Sequence, residues 1–381
     1  MRGENIIAFS KDWESDWTSN HHVLSILSRK NRVLWINSLG MRPPSLSSGK
    51  DWKKMVKKLI SLAQGVRKKQ DNLYTFTPLV IPFRKIPFLK KLNQEMVIFQ
   101  IRILKRLLRM EDFQLWTFLP NTSEFMGKLG EKISVYYCTD NWKFFPYLNG
   151  EMIAEEEKKL LARVKVVFTS SRALYEEKIK SNPHTFLSTH GVNSIFFSRR
   201  GELNKPEELK KIPPPILGFY GWLRDTIDEE LLVRVGKTYN NCSLVLIGKV
   251  DRDFRELKKL KNVFFLGQKP YHQLPSYASF FDVALIPYKM SRELMISTNP
   301  VKLKEYLALG LPVVATDLHE LYPYRDLCWI ARNHEEFLRG IGEALQKENR
   351  EKLERARERM KEETWEKKVE KIERILEKFL E

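Results

Sequence analysis

Apolar positions along the first half of the chain gather in short β-rich runs: NIIAFS, RVLWINS, NLYTFTPLV, FQLWTFLP, ISVYYCTD and VKVVFTSS. Helical or charged stretches separate them. Strands alternating with helices predict an α/β fold with a parallel sheet covered by helices. Near Arg199 the rhythm breaks into SRRGELNKPEELKKIPPP, a polar, charged and Pro-rich stretch with the composition of a linker. It resumes with PILGFYGWL, CSLVLIGKV, NVFFLGQ, FDVALIPY and LPVVATD. The last 35 or so residues predict a highly charged helix carrying Trp365, Ile372, Ile375, Leu376 and Phe379 on one apolar stripe. Two doubly wound domains of similar size account for this pattern. Ligands of such sheets bind at the carboxyl ends of the strands, so a cleft between the domains is the expected site.

Composition narrows the class. The 381 residues are 43% hydrophobic and 30% charged, as in a soluble globular chain. Cys138, Cys242 and Cys328 are too far apart for a disulfide framework or a thiolate zinc site, and the seven histidines show no metal-ligand spacing. The N-terminus lacks the apolar region of a signal peptide, and no uncharged apolar stretch nears the ~18 residues that span a bilayer. The expectation is a cytoplasmic protein without a metal.

The net charge of +18 adds a partner. Lys50 to Met110 holds sixteen Lys and Arg against three acids. Within it, WKKMVKKLISLA sets Trp52, Met55, Val56, Leu59, Ile60 and Ala63 at helical spacing, with Lys53, Lys54, Lys57 and Lys58 opposite. Arg84, Lys85, Lys90 and Lys91 punctuate LVIPFRKIPFLKKL, and IRILKRLLRM repeats the basic amphipathic pattern. Successive segments of this kind suit an anionic membrane surface, which predicts a peripheral protein on the inner face of the plasma membrane. For any one segment the alternative is an ordinary surface helix packed on its own core. Nucleic acid is not an expected partner, because no helix-turn-helix, zinc-finger or RNP-type motif is present.

The most informative segment is STNPVKLKEYLALGLPVVATD, residues 297–317. Asn299 reads as an N-cap, Pro300 as the first helical residue and Gly310 as the left-handed stop, predicting a helix over Pro300–Leu309. The start of that helix offers backbone N–H groups and a positive dipole end to an anion. Ser297, Thr298 and Asn299 add side-chain donors, and Lys302 adds charge. Glu305 is placed to reach paired hydroxyls beyond the anion. That combination matches a sugar-nucleotide diphosphate and its ribose.

The order of segments resembles GT-B fold glycosyltransferases, the large family 4-like group that transfers sugars from nucleotide donors. GFYGWL, LVLIGKV, NVFFLGQKPYHQLPSYASFFDVALIPY and PVKLKEYLALGLPVVATD carry the resemblance over most of the second half. HHVLSILSRKNRVLWIN, VYYCTDNW, VVFTSSRAL and STHGVNSIFF carry it more weakly in the first. Within the group the chain is most similar to bacterial transferases of cell-surface and exopolysaccharide synthesis, including the teichuronic-acid type. The resemblance implies two facing Rossmann-like domains. Residues 1–205 would bind the acceptor, a lipid-linked or surface glycan, with 358–381 crossing back onto them. Residues 206–357 would bind the donor, a UDP- or GDP-linked sugar, with no further cofactor. Two departures stand out: Ser297 occupies the place of the first of two family glutamates, Glu305 being the second, and Trp222 follows Gly221 where an arginine is usual. The anomeric outcome therefore stays open.

For the leaving diphosphate the candidates are Arg224, Lys249 and Lys302, since fixed positive charge stabilises a leaving pyrophosphate without a metal. Tyr288 ends DVALIPY at a cleft-facing strand terminus. Backbone around Leu266, Gly267 and Gln268 suits the base, Pro300 and Val301 open the anion-binding helix, and Gly218 and Gly221 would admit the donor close to the chain. An inverting transferase needs a general base, for which Asp140 at the end of ISVYYCTD leads. His190 in STHGVN, Asp16, His21 and His22 follow it. Two rival readings remain: a nucleotide-sugar epimerase on the same fold, and a non-catalytic, membrane-associated sugar-nucleotide-binding protein.

Overall fold

The computed structural model of the protein describes residues 1–39, 65–81, 87–145, 148–197, 203–291, 296–346 and 350–380. The chain divides into two compact units, Met1–Thr189 with Lys368–Glu381, and His190–Lys367.

The first unit contains β1 (Asn5–Phe9), β2 (Arg32–Ile36), β3 (Arg67–Gln70), β4 (Leu73–Phe76), β5 (Phe113–Thr117), β6 (Ile133–Cys138), β7 (Val166–Thr169) and β8 (Thr185–Leu187). They form one sheet in the order β3-β4-β2-β1-β5-β6-β7-β8. Every neighbouring pair is parallel except β3 with β4. The strand order reverses between β1 and β5, which puts a ligand crevice at their carboxyl ends. Helices Ser19–Leu27, Pro87–Leu107, Gly150–Leu161 and Arg172–Lys178 connect the strands. The apolar runs are near-continuous because a parallel sheet is covered on both faces. Accordingly Ile6, Ile7, Ala8 and Phe9 have no exposed surface.

The second unit repeats the winding with β9 (Ile216–Tyr220), β10 (Ser243–Ile247), β11 (Val263–Phe265), β12 (Val283–Ile286), β13 (Val313–Thr316) and β14 (Trp329–Ala331). The order is β11-β10-β9-β12-β13-β14 and all pairs are parallel. Its switch point lies between β9 and β12. Asp228 and Asn333 open the helices Glu229–Thr238 and His334–Ala344 by accepting backbone N–H groups at 3.0 and 2.9 Å. Leu209 and Ile212, inside the stretch with linker composition, are buried in this unit's core.

The charged tail is two helices, Arg350–Lys361 and Trp365–Leu380, rather than one. The chain restarts at Thr364, whose hydroxyl accepts the Lys367 N–H at 3.2 Å. In the first unit Phe379 meets Phe186 and His184 edge-on. In the second, Trp365 is 1% exposed.

Candidate functional site

In the second unit three glycines follow three adjoining strands. Gly221 closes β9 and donates to Ile247 O, while Gly248 closes β10 and donates to Gly267 O beyond β11. Their φ angles of +146°, +148° and +68° lie where L side chains rarely go. A Cβ on Gly248 would fall 1.8 Å from Gly221 O. Only a side-chain-free backbone permits this approach, which leaves the carboxyl edge of the sheet open to a ligand. Gly218 serves another purpose than admitting a donor. A Cβ there would lie 2.2 Å from the Phe281 ring, so its bare backbone makes room for that core side chain.

Cations and aromatic rings stand along this edge. The Lys302 ammonium donates to Tyr288 Oη at 2.7 Å and lies 5.4 Å from the Phe219 ring centre. Its side chain passes 2.9 Å from where a Gly221 Cβ would be, so glycine at 221 also makes way for the lysine. Beside it, Trp222 is fixed by its indole N–H to Asp251 at 2.9 Å. The Arg224 guanidinium and the Lys249 ammonium sit 4.7 and 4.6 Å from the Trp222 ring. Lys249 also pairs with Asp251 at 3.0 Å.

The helix after STN runs Val301–Ala308, and Pro300 is its N-cap with ψ of 112°. The start is thus one residue later than the sequence reading, because Pro300 stays extended and Asn299 lies outside. Thr298 and Asn299 precede the cap, Val301 is the first helical residue, and Gly310 supplies the left-handed stop at φ +65°.

Glu305 is 4% exposed, and both carboxylate oxygens are in use. Tyr220 donates to Oε2 at 2.5 Å and Tyr271 to Oε1 at 3.0 Å. Burial raises its pKa, and the two tyrosine hydroxyls oppose that rise. A ribose meeting this carboxylate would share its oxygens with the two tyrosines or displace one of them. Next to it, Lys304 is 2% exposed and donates to His190 O and, at 2.9 Å, to Glu363. The His190 ring is 6% exposed and lies 6.0 Å from Trp365.

In the first unit Asp140 follows β6, exposed, and accepts from the Thr139 hydroxyl at 3.0 Å. Lys11, just past β1, bonds Asp16 O. Burial lowers the Lys11 pKa to about 8, with the charges of Asp16, Asp140 and Asp12 opposing. The first sheet's edge therefore brings an amine and a carboxylate within electrostatic reach. His21 and His22 are buried at the start of the Ser19–Leu27 helix. The His21 ring is enclosed by Trp13, Trp17 and Trp35, with centroids 5.1, 4.7 and 4.9 Å away.

Of the basic positions, Trp52, Lys53, Lys54, Lys57, Lys58, Arg84 and Lys85 lie outside the described residues. Lys90 pairs with Glu156 at 3.2 Å, while Lys91 is exposed. Among the described residues no group of three or more His, Cys, Asp or Glu is arranged to hold a metal.

Residues 217–347 match the family model described as Glycosyl transferases group 1. The second unit carries a group 1 glycosyltransferase domain. Over 202 residues the chain is 26% identical to TuaH of Bacillus subtilis (strain 168), named as a teichuronic acid biosynthesis glycosyltransferase. The match spans 48% of this chain and about half, 50%, of that protein. Sucrose-phosphate synthase from Thermosynechococcus elongatus superposes with a TM-score of 0.72 at 15% identity, covering 98% of each chain. A trehalose-6-phosphate structure from E. coli, bound with UDP-2-fluoro glucose, gives 0.68 at 10% identity over 99% of each. At such identities the likeness shows the fold, which is GT-B.

Within the group 1 domain the sequence reading missed several residues that shape the edge. Gly248 carries the same signal as Gly221, a glycine closing an apolar strand. Asp251 lies in the loop after β10 and ties Trp222 and Lys249 together. Tyr220 and Tyr271 are far from Glu305 in sequence, so no local signal points to their bonds with it.

Proposed function

We propose that the protein is a metal-independent glycosyltransferase of hexosyl type. Its group 1 domain takes a nucleotide-diphosphate sugar, UDP- or GDP-linked. The acceptor is a hydroxyl on a lipid-linked or cell-surface glycan, presented at the cytoplasmic face of the plasma membrane during envelope polysaccharide synthesis. The observation that carries this reading is Lys302, held by Tyr288 against Gly221 in the first turn of the Val301–Ala308 helix. A helix start with a fixed ammonium is suited to a diphosphate. Arg224 and Lys249 add charge on Trp222, and Gly221, Gly248 and Gly267 leave backbone free to approach the donor. As the acceptor oxygen bonds to the anomeric carbon, the bond from that carbon to the diphosphate breaks and the negative charge passes to the diphosphate. These cations stabilise that charge. Asp140 is the proposed base for the acceptor proton, with Lys11 beside it.

The test is calorimetric titration of the full chain with UDP-, GDP- and dTDP-sugars, alongside Lys302→Met. Selective binding of one nucleotide, weakened in the variant, supports the reading; absence of binding to all three ends it. A second reading, a nucleotide-sugar-binding protein without turnover, draws on Glu305 being held by two tyrosines while Ser297 replaces the other acid. Binding without transfer or donor hydrolysis would favour it.

A further inference from the structure

The Pro87–Leu107 helix buries one apolar face and exposes another. Val97, Ile98 and Ile101 are at most 2% exposed and pack into the first unit's core. Yet Phe88 is 73% exposed, Leu92 38%, Phe99 64%, Ile103 41% and Leu107 73%. At about 100° per residue these five fall within an arc of about 100°, a stripe roughly 28 Å long. Leu79, 50% exposed, widens it, because its backbone is clamped to the helix by Gln100 at 2.8 and 3.0 Å. Core packing explains the first face and not the second.

The helix also sorts its cations. Lys90 turns to Glu156, and Lys105 donates to Leu129 O at 3.2 Å, so both tie the helix to its own unit. Lys91 and Arg102, both exposed, border the stripe, and Arg106 lies within it. Arg102 also donates to Lys128 O at 3.1 Å. Glu95, exposed near the same border, is the helix's one acid. A stripe of Phe, Leu and Ile edged by long basic side chains is complementary to an anionic bilayer, with acyl chains under the stripe and headgroups at the cations.

We infer that this outward face, Phe88, Leu92, Phe99, Ile103 and Leu107 with Lys91 and Arg106, lies in the surface of an anionic lipid bilayer. The inference rests on the membrane-surface part of the proposed function and names its contact. The experiment is co-sedimentation of the full chain with vesicles of phosphatidylglycerol and phosphatidylcholine, and of phosphatidylcholine alone. The parent is compared with Phe88→Ser/Phe99→Ser/Leu107→Ser and with Lys91→Glu/Arg106→Glu. Circular dichroism checks the fold, and nucleotide titration is run on each variant. The parent should pellet with the anionic vesicles. Each variant should lose at least about tenfold in partition while keeping its nucleotide affinity. Unchanged partition of the serine variant, or equal binding of the parent to both vesicle types, overturns the inference. So does a parent that ignores vesicles but forms a dimer, seen by light scattering, which the serine variant makes monomeric; the stripe would then cover a second copy. Nucleotide binding that survives any of these results leaves the donor reading standing.

Discussion

His21 should make the first unit acid-sensitive by a calculable amount. Its ring is wholly buried, accepts the Thr18 N–H on Nδ1 at 3.2 Å and, as the neutral tautomer that this requires, donates from Nε2 to Trp13 O at 3.0 Å. A proton added to Nδ1 would face another N–H inside an indole cage. Burial lowers the His21 pKa to about 4, with the bond to Trp13 opposing and the nearby Lys11 charge assisting. The folded value thus lies below the unfolded one of about 6.5, and between the two the unfolded chain binds more protons. Stability is therefore complete above about pH 7 and falls as pH drops through 6.5 towards 4. Linkage gives a loss of about 2 kcal/mol from this residue between about pH 7.5 and about pH 5.

The comparison is parent against His21→Gln, whose amide oxygen still accepts the Thr18 N–H but does not titrate. Urea unfolding is followed by tryptophan emission, which Trp13, Trp17 and Trp35 report from around the ring. Carboxylates titrate in both proteins and cancel in the difference. The parent should lose about 2 kcal/mol more than the variant between the two pH values. Equal losses would refute the argument that the cage excludes the imidazolium.

Three further outcomes follow from named contacts. Lys302→Met should weaken nucleotide-diphosphate binding about 10- to 100-fold by calorimetry, the usual range for a lost charge-assisted hydrogen bond, and Lys302→Arg should recover part of it. Gly248→Ala forces a Cβ onto Gly221 O at a φ of +148°, so nucleotide titration should show affinity lost, or urea unfolding a cost above about 3 kcal/mol. Lys304→Met removes the ammonium from His190 O and from Glu363, which keeps Arg359 at 3.9 Å and the Tyr324 hydroxyl, and should cost about 1–3 kcal/mol in urea unfolding of the full chain.

Hydrophobic pattern made the doubly wound fold legible, since eleven strands coincide with apolar runs bounded by turn residues. The three that escaped have physical reasons. β3 is RKKQ, whose backbone pairs antiparallel with β4 at the sheet's edge without an apolar face to signal it. β8 and β14, three residues each, also close edges and are too short to show a period. The break in the tail falls in the charged stretch before Thr364, with no Gly or Pro to mark it. Composition revealed the basic segment but not which face of its helix is bare, because that depends on what the rest of the unit covers.

The candidate site shows the same division between local and long-range information. Lys302 and the glycine stops lie in short motifs, and their geometry follows from strand ends and one helix start. The state of Glu305 does not: it depends on Tyr220, which ends β9, and Tyr271, which opens a turn after β11. Those two hydroxyls hold the carboxylate in place and, by donating to it, favour its charged form. Lys302, Arg224 and Lys249 stand along the edge; among the described residues, Glu305 lies beneath these hydroxyls within electrostatic reach of Lys302, and Asp251 is shared between Lys249 and the Trp222 indole. An edge so biased towards positive charge stabilises a diphosphate more than it would a neutral sugar. It follows that the tyrosines, by occupying the Glu305 oxygens, keep the carboxylate turned to themselves and contribute to anion affinity without touching the anion. Tyr271→Phe would free Glu305 Oε1, and if the argument holds, diphosphate affinity falls while the affinity for an uncharged nucleoside stays the same.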